Sequence, residues 1–299
     1  MRQAVGRTLA GIGRRTPQPG TLTVLMYHAV TADRFDDAGQ MSVSADRFST
    51  HLDEIASSGA RVVDVIDGVT AVLNGTLTDA AVSLVFDDGF VGVHDCAAAA
   101  LGTRKFPATV FVTTAWIGKT EMPMADRRLG RPMTWAEVEA LDRAGISIGS
   151  HTDTHPRMTD LGRDELHAEL ERSRQAIADH VGHAPMAFAY PFGAFGTFDA
   201  RTRAALDEHG FQVGCTTVFG RNHQGADPLE IRRVRVSWCD GDGEIRRALA
   251  GCYDWYRWVQ RVQTMMDAGS KRTRPADAVR LKPDTTDPVR LKPDTTGQC

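Results

Sequence analysis

Apolar and polar positions follow two different periods along the chain. Leu22-Thr23-Val24-Leu25-Met26-Tyr27, Val82-Ser83-Leu84-Val85-Phe86, Ala108–Thr113, Ile146–Gly149, Met186–Tyr190, Gln212–Thr217 and Ile231–Val236 are short, nearly continuous apolar runs. Such runs predict strands buried on both faces of a parallel sheet. Between them lie segments with helical spacing. Ser44–Ser58 places Phe48, Leu52 and Ile55 on one face before Gly59, and Thr134–Ala144 opens with the capping pair Thr134 and Glu137. Further helices are predicted at Val69–Leu73, Asp95–Gly102, Asp164–His180, Phe198–His209, Glu244–Ala250 and Tyr253–Met266, and a short strand at Arg61–Val65. Strands alternating with helices predict an α/β fold with right-handed crossovers. No Gly-x-Gly-x-x-Gly follows the first strand. A (β/α) barrel is therefore expected ahead of a dinucleotide-binding sheet.

The two ends of the chain break the pattern. Met1–Gly20 carries Arg2, Arg7, Arg14 and Arg15 without an apolar stretch long enough for a secretory signal, and reads as a flexible basic leader. Val279–Thr286 recurs as Val289–Thr296, each copy containing Lys-Pro-Asp-Thr-Thr. Such a segment buries no core, so residues 269–299 are expected to be a disordered tail beyond a folded domain at 21–268.

Composition narrows the function. With 35 Lys+Arg against 38 Asp+Glu the formal charge is −3, which argues against a nucleic-acid binder. No apolar run is long enough to span a bilayer. A cytoplasmic protein, probed at most by peripheral membrane contact of its basic leader, is the expectation, with a monomer as its state. Five widely spaced cysteines without a C-x-x-C predict neither a disulfide framework nor a thiolate metal cluster.

Polar clusters sit just after predicted strands: His28, Asp87-Asp88, His151 with His155, and Tyr190-Pro191-Phe192-Gly193. In a barrel the carboxyl ends of the strands converge on one face, where active sites form. His151-Thr152-Asp153-Thr154-His155 brings two imidazoles within reach of one ion, and Pro156 argues for a loop. Neighbouring carboxylates diverge, so one of Asp87 and Asp88 can bind a metal while the other serves as base. Two His and one carboxylate leave an open position, as expected of a catalytic zinc, which lowers the pKa of water toward about 7.

These motifs carry a family resemblance. Leu84-Val85-Phe86-Asp87-Asp88-Gly89 resembles the T-F-D-D-G motif of NodB-homology polysaccharide deacetylases, carbohydrate esterase family 4. Ser150-His151-Thr152-Asp153-Thr154-His155-Pro156 is similar to their S-H-[ST]-x-x-H-P motif, and Ala189-Tyr190-Pro191-Phe192-Gly193 to their third motif. Leu25-Met26-Tyr27-His28 resembles the opening strand of the bacterial exopolysaccharide branch. The resemblance, running from Leu22 to Val236, implies a distorted barrel of about seven strands and hydrolysis of N-acetyl groups on an amino-sugar polysaccharide or oligosaccharide. It implies Asp87 as general base and Asp88, His151 and His155 as ligands of a divalent metal, usually zinc, with cobalt or nickel as alternatives. Phe192 stands where the family offers a backbone N–H to the oxyanion. Tyr190 and Pro191 are the substrate-binding candidates it supplies. Trp116, beside the insertion-like stretch Ile117–Pro132, joins them as a surface on which sugar rings stack.

The chain departs from the family in three places. Ala189 stands where an Arg often orients the base, Val85 where Thr is usual, and no Leu-His motif follows Val236. His28 and His223 are the candidates for the missing acid. Arg232 or Arg233 could replace the Arg, although a solvated or paired strand residue is the plainer reading. His51, His167, His180 and His209 read as helix-surface residues. Tyr253, Trp255, Tyr256 and Trp258 read as closing the barrel. An O-acetyl esterase, a cyclic amidase and a carbohydrate-binding pseudoenzyme are the competing functions. The intact Asp87, Asp88, His151 and His155 speak against the last.

Overall fold

All six residues of the first apolar run are buried and form strand β1 (Leu22–Tyr27). In this computed structural model, which describes residues 16–123, 125–237 and 241–272, β1 is followed by a small parallel pair, β2 (Ala29–Thr31) and β3 (Ser42–Ser44). The chain then runs through helix α1 (Ala45–Ala56), β4 (Arg61–Val62), α2 (Val65–Leu73), β5 (Ala81–Phe86), α3 (Ala98–Arg104) and β6 (Ala108–Val112). It continues with α4 (Trp135–Arg143), β7 (Ser147–Ser150), α5 (Arg163–Val181), β8 (Ala187–Ala189), α6 (Ala200–Glu208), β9 (Val213–Cys215), β10 (Val234–Arg235), α7 (Glu244–Leu249) and α8 (Tyr256–Arg272). The main sheet is parallel, in the order β10-β1-β5-β6-β7-β8-β9, with β4 beside β5. Its two edges meet. Thr216 N–H donates to the Ile231 carbonyl and Ile231 N–H to the Gly214 carbonyl, both at 2.8 Å. The sheet thus returns on itself across an irregular seam, as a distorted (β/α) barrel.

Local chemistry explains the element boundaries. Ser44 caps α1 through Arg47 N–H, and Asp64 caps α2 through Ile66 N–H, which starts α2 four residues before the Val69 read from periodicity. Thr134 and Glu137 form the expected capping box. The last predicted strand shrinks from Ile231–Val236 to Val234–Arg235, because Ile231 is spent on the seam. Helix α8 runs to Arg272, past the boundary read at 268. The leader up to Arg15, most of the tail, and Cys239 and Cys299 lie outside the described residues. Cys96, Cys215 and Cys252 are free thiols. No helix among the described residues is long and apolar enough to cross a membrane.

Period-2 alternation divides the strands between two cores. Leu25, Tyr27, Leu84, Phe86, Val110 and Val112 pack outward against helices. Val24, Met26, Val85, Phe111, Ala187, Ala189 and Cys215 pack inward, with Val65, Val69 and Val72 of α2 at the amino-terminal mouth. Gly149 faces this interior: a Cβ there would lie 2.5 Å from Phe111 Cδ1, so the glycine makes room for the phenylalanine. The same parity continues past the strand ends. His28 follows Met26 by two residues, Asp87 follows Val85, His151 follows Gly149 and Arg233 follows Ile231. All four therefore gather at the carboxyl-terminal mouth.

One reading of the surface changes. His51 is fully buried rather than on a helix surface, with Nδ1 3.5 Å from the Tyr27 hydroxyl, and burial lowers its pKa to about 3. Trp135 stacks on His180 at 4.1 Å and joins α4 to α5, away from the mouth. Tyr253 is buried and Tyr256 packs on Phe219, as expected of a closing element, but Trp258 is 59% exposed.

Candidate active site

The mouth of the barrel holds a cavity of about 600 Å3 lined by His28, Asp87, Asp88, His151, His155 and Trp116 among others. Strand β5 ends at Phe86 and delivers Asp87 inward. Asp88 then turns into the left-handed region at φ 72°, so the two adjacent carboxylates leave the chain in different directions. Thr152, His155 and Phe192 also have positive φ, between 63° and 65°. Four of the six non-glycine residues with positive φ among the described residues therefore lie at this mouth, where strain is tolerated only if the surroundings enforce it.

Asp88 Oδ1 lies 3.5 Å from His151 Nε2 and 3.7 Å from His155 Nε2. Three ligand atoms about 2 Å from a tetrahedral zinc would stand roughly 3.3–3.5 Å apart, so the set fits a divalent cation after a small contraction. The donor chemistry fits as well. His151 Nδ1–H donates to the Ala189 carbonyl at 2.6 Å, which leaves the lone pair on Nε2. Burial keeps both imidazoles neutral, lowering His151 to about 4 and His155 to about 3. Burial, and then the charge of Asp87, raise Asp88 to about 8. A second cluster, His94, Asp95 and Glu137, does not qualify, because Glu137 is spent on Arg131 and on the cap of α4.

Asp87 differs from its neighbour. Burial would raise its carboxyl, but the Arg233 guanidinium, then His151 and His28, outweigh burial and hold it below the ordinary value. Arg233 Nη1 donates to Asp87 Oδ1 at 2.7 Å and Nε donates to the Thr216 carbonyl at 2.6 Å, with both side chains buried. This arginine lies just before β10 and is buried, so of the two plain readings of Arg233 the paired one holds and the solvated one falls. Ala189 contributes its carbonyl instead of a side chain.

The histidine loop has its own clamp. Glu169 of α5, buried, accepts the N–H groups of Asp153 and Thr154 at 3.1 and 2.8 Å and the Thr154 hydroxyl at 2.8 Å. Sequence reasoning passed over Glu169. Its only signal is an acidic residue in a helix otherwise facing the core at Leu166, Leu170 and Ser173. Gln260 of α8 was also missed. It accepts Phe219 N–H at 2.8 Å, donates to the Thr217 carbonyl at 3.0 Å and lines the cavity.

The remaining candidates separate. Trp116 lines the cavity with its ring 5.0 Å from that of His155, and Met122, Pro123 and Ala125 of the stretch Ile117–Pro132 stand beside it. Phe192 is 48% exposed and packs edge-on against His155 at 5.0 Å. Its backbone N–H donates to no acceptor among the described residues. The Tyr190 ring is buried between Phe188 and Phe198, and its hydroxyl donates to the Leu229 carbonyl at 3.0 Å. Tyr190 and Pro191 are both buried, and Tyr190 lines the cavity. His28 faces the cavity with a buried Nδ1 that has no hydrogen-bond partner among the described residues, and burial lowers its pKa to about 4. His223 is exposed on a loop outside the cavity.

The polysaccharide deacetylase family profile matches residues 74–214. YxkH of Bacillus subtilis (strain 168), a provisionally named polysaccharide deacetylase, is 23% identical over 224 residues, covering 75% of this chain and 74% of its own. The Streptococcus pyogenes deacetylase PplD, solved with acetate, superposes with a TM-score of 0.65 at 22% identity, over 78% of this chain and 99% of its own. IcaB from Ammonifex degensii superposes with a TM-score of 0.63 at 24% identity, over 79% and 98%.

Proposed function

We propose, from the premise that residues 74–214 make the chain a member of the polysaccharide deacetylase family, that this hydrolase removes N-acetyl groups from an amino-sugar polysaccharide or oligosaccharide. What carries the reading is the division between two adjacent aspartates: Asp88 aims at two imidazole nitrogens while Arg233 holds Asp87 ionised beside them. Asp88, His151 and His155 would hold a divalent cation, zinc by its donor set, which supplies an acidified water and a polarised carbonyl.

The chain's own groups then do the following. The acetamide lies in the cleft with its sugar beside Trp116. Asp87 takes a proton from the attacking water as its oxygen bonds the carbonyl carbon. Phe192 N–H donates to the oxygen on which charge develops. Arg233 keeps the Asp87 carboxyl in place and ionised before that transfer. His28, neutral because buried, offers a ring nitrogen at the leaving nitrogen and does not carry the transferable proton. That proton is the one held by Asp87, which returns it as the carbon–nitrogen bond breaks. Acetate and a free amine result. Residues 21–268 with the rest of α8 form the catalytic domain.

Acetate release from N-acetylglucosamine oligomers, run beside acetylated xylan, tests the proposal. Release from the first substrate, abolished by chelation, is the expected result. Release from xylan alone would move the activity to O-acetyl esters, and release from neither would remove it.

A further inference from the structure

A second cavity, of about 340 Å3, lies across the segment Thr216–Phe219 from the cleft. The segment alternates between them: Thr217 and Phe219 line the cleft, Thr216 and Val218 the second cavity. Helix α8 is shared in the same way, with Gln260 in the cleft and Arg257, Trp258 and Arg261 in the second cavity. The two spaces are therefore neighbours on one surface.

Cationic side chains outnumber acidic ones in the second cavity. Arg232, Arg257 and Arg261 line it. Its own acids, Asp227 and Glu230, are held by Arg203 at 2.6 and 3.0 Å. The nearby Asp254 is engaged by Arg221, which donates its backbone N–H to Oδ1 at 3.0 Å and its guanidinium to Oδ2 at 2.9 and 3.0 Å. Among the described residues no carboxylate stands at ion-pair distance from the three cavity arginines. Arg232 and Arg257 converge over Gly220, where a Cβ would lie 3.2 Å from Arg232 Cδ, 3.8 Å from Asp254 Oδ1 and 3.9 Å from Arg257 Nη1. Asn222 fixes Arg232 from below: its side-chain amide donates to the Arg232 carbonyl and accepts Arg232 N–H, each at 2.9 Å. Burial, and then the charge of Arg257, lower the Arg232 pKa below the ordinary arginine value. Like charges gathered in a half-buried space are costly, and an anion there offsets the cost through charge-assisted hydrogen bonds. Exposed Trp258, with Phe195 and Phe198, supplies aromatic faces suited to a sugar ring.

We propose that this cavity is an anionic-saccharide subsite, taking the carboxylate or phosphate group of a sugar residue. The polymer it serves is the one whose acetyl groups enter the cleft, and this identity alone rests on the deacetylase reading. Binding is measured on the full chain by calorimetry with a uronic-acid disaccharide, a hexosamine 6-phosphate and a neutral N-acetylglucosamine disaccharide. The acidic sugars should bind tighter than the neutral one and weaken as salt rises. Arg232→Gln and Arg261→Gln should each weaken them about tenfold, the loss expected for a charge-assisted hydrogen bond. Acetate release from neutral oligomers should stay at the wild-type rate in both variants. Tighter uronate binding assigns the carboxylate, and tighter sugar-phosphate binding the phosphate. Acidic and neutral sugars binding alike, or Arg261→Gln binding as wild type, would overturn the subsite. An enzyme that binds acidic sugars but releases no acetate from any substrate would overturn the deacetylase reading and leave the subsite standing.

Discussion

Two aspartates adjacent in sequence meet opposite electrostatic fates, and variants should separate them. Asp87→Asn keeps shape but cannot take a proton, so the rate should fall about 10²–10⁴-fold with metal content unchanged. Asp88→Asn should lose metal instead, and recover activity partly in excess zinc. If metal content responds the other way round, the roles are reversed. Arg233→Gln tests why Asp87 is ionised. A carboxyl whose folded pKa is depressed adds stability above its unfolded value of 3.8, which is lost as pH falls through the folded pKa. Without Arg233, the largest opposition to burial at Asp87 is gone. The acidic limb of the kcat/KM profile should move to higher pH, and the protein should lose about 3–5 kcal/mol in denaturant unfolding, as when one member of a buried pair is removed. An unmoved limb would mean that Arg233 is structural only. Asp87, Asp88, His151 and His155 were legible because each follows a strand in a recognisable motif. Arg233 was legible only in part. The parity Ile231, Arg233, Arg235 points it inward, but choosing it over Arg232 needs the strand register, and the irregular seam hides that register.

At the scale of elements, the loop from His151 to His155 is as well built as a strand, and Glu169 is the reason. Glu169→Ala should free the loop and weaken metal affinity about 10–100-fold, the usual effect of losing a group that orients ligands, measured by zinc competition with a chelating dye. Wild-type affinity in that variant would show that the loop holds its own shape. Most helices and main-sheet strands followed from periodicity, with the caps Ser44 and Thr134 at helix starts, but the short pair β2 and β3 did not. Glu169 and Gln260 were invisible for a common reason. Each acts on backbone groups of a segment distant in sequence, across a contact that no local pattern encodes. His51 was misread because three of the four helix positions around it carry charge or hydroxyl groups, while its own face meets Tyr27.

For the whole molecule, the barrel gathers four buried ionisable groups at one mouth, and its stability should depend on the cation. In the metal-free protein Asp88 titrates near 8, against 3.8 unfolded. Between those values the folded state keeps a proton that the unfolded chain has shed, so raising the pH costs stability across that window. Chelation should therefore lower Tm more at about pH 8 than at about pH 5, whereas an equal drop at both would exclude Asp88 as the coupled group. Truncation after Arg272 should shift Tm by less than about 4 °C, since the repeated Lys-Pro-Asp-Thr-Thr segments offer no core residues. The most direct measurement of the central claim is zinc titration of the chelated protein, followed by acetate release from N-acetylglucosamine oligomers. Activity should be absent at the start, rise in proportion to zinc and level off at one ion per chain. Full acetate release without bound metal, or none at full occupancy, would contradict it.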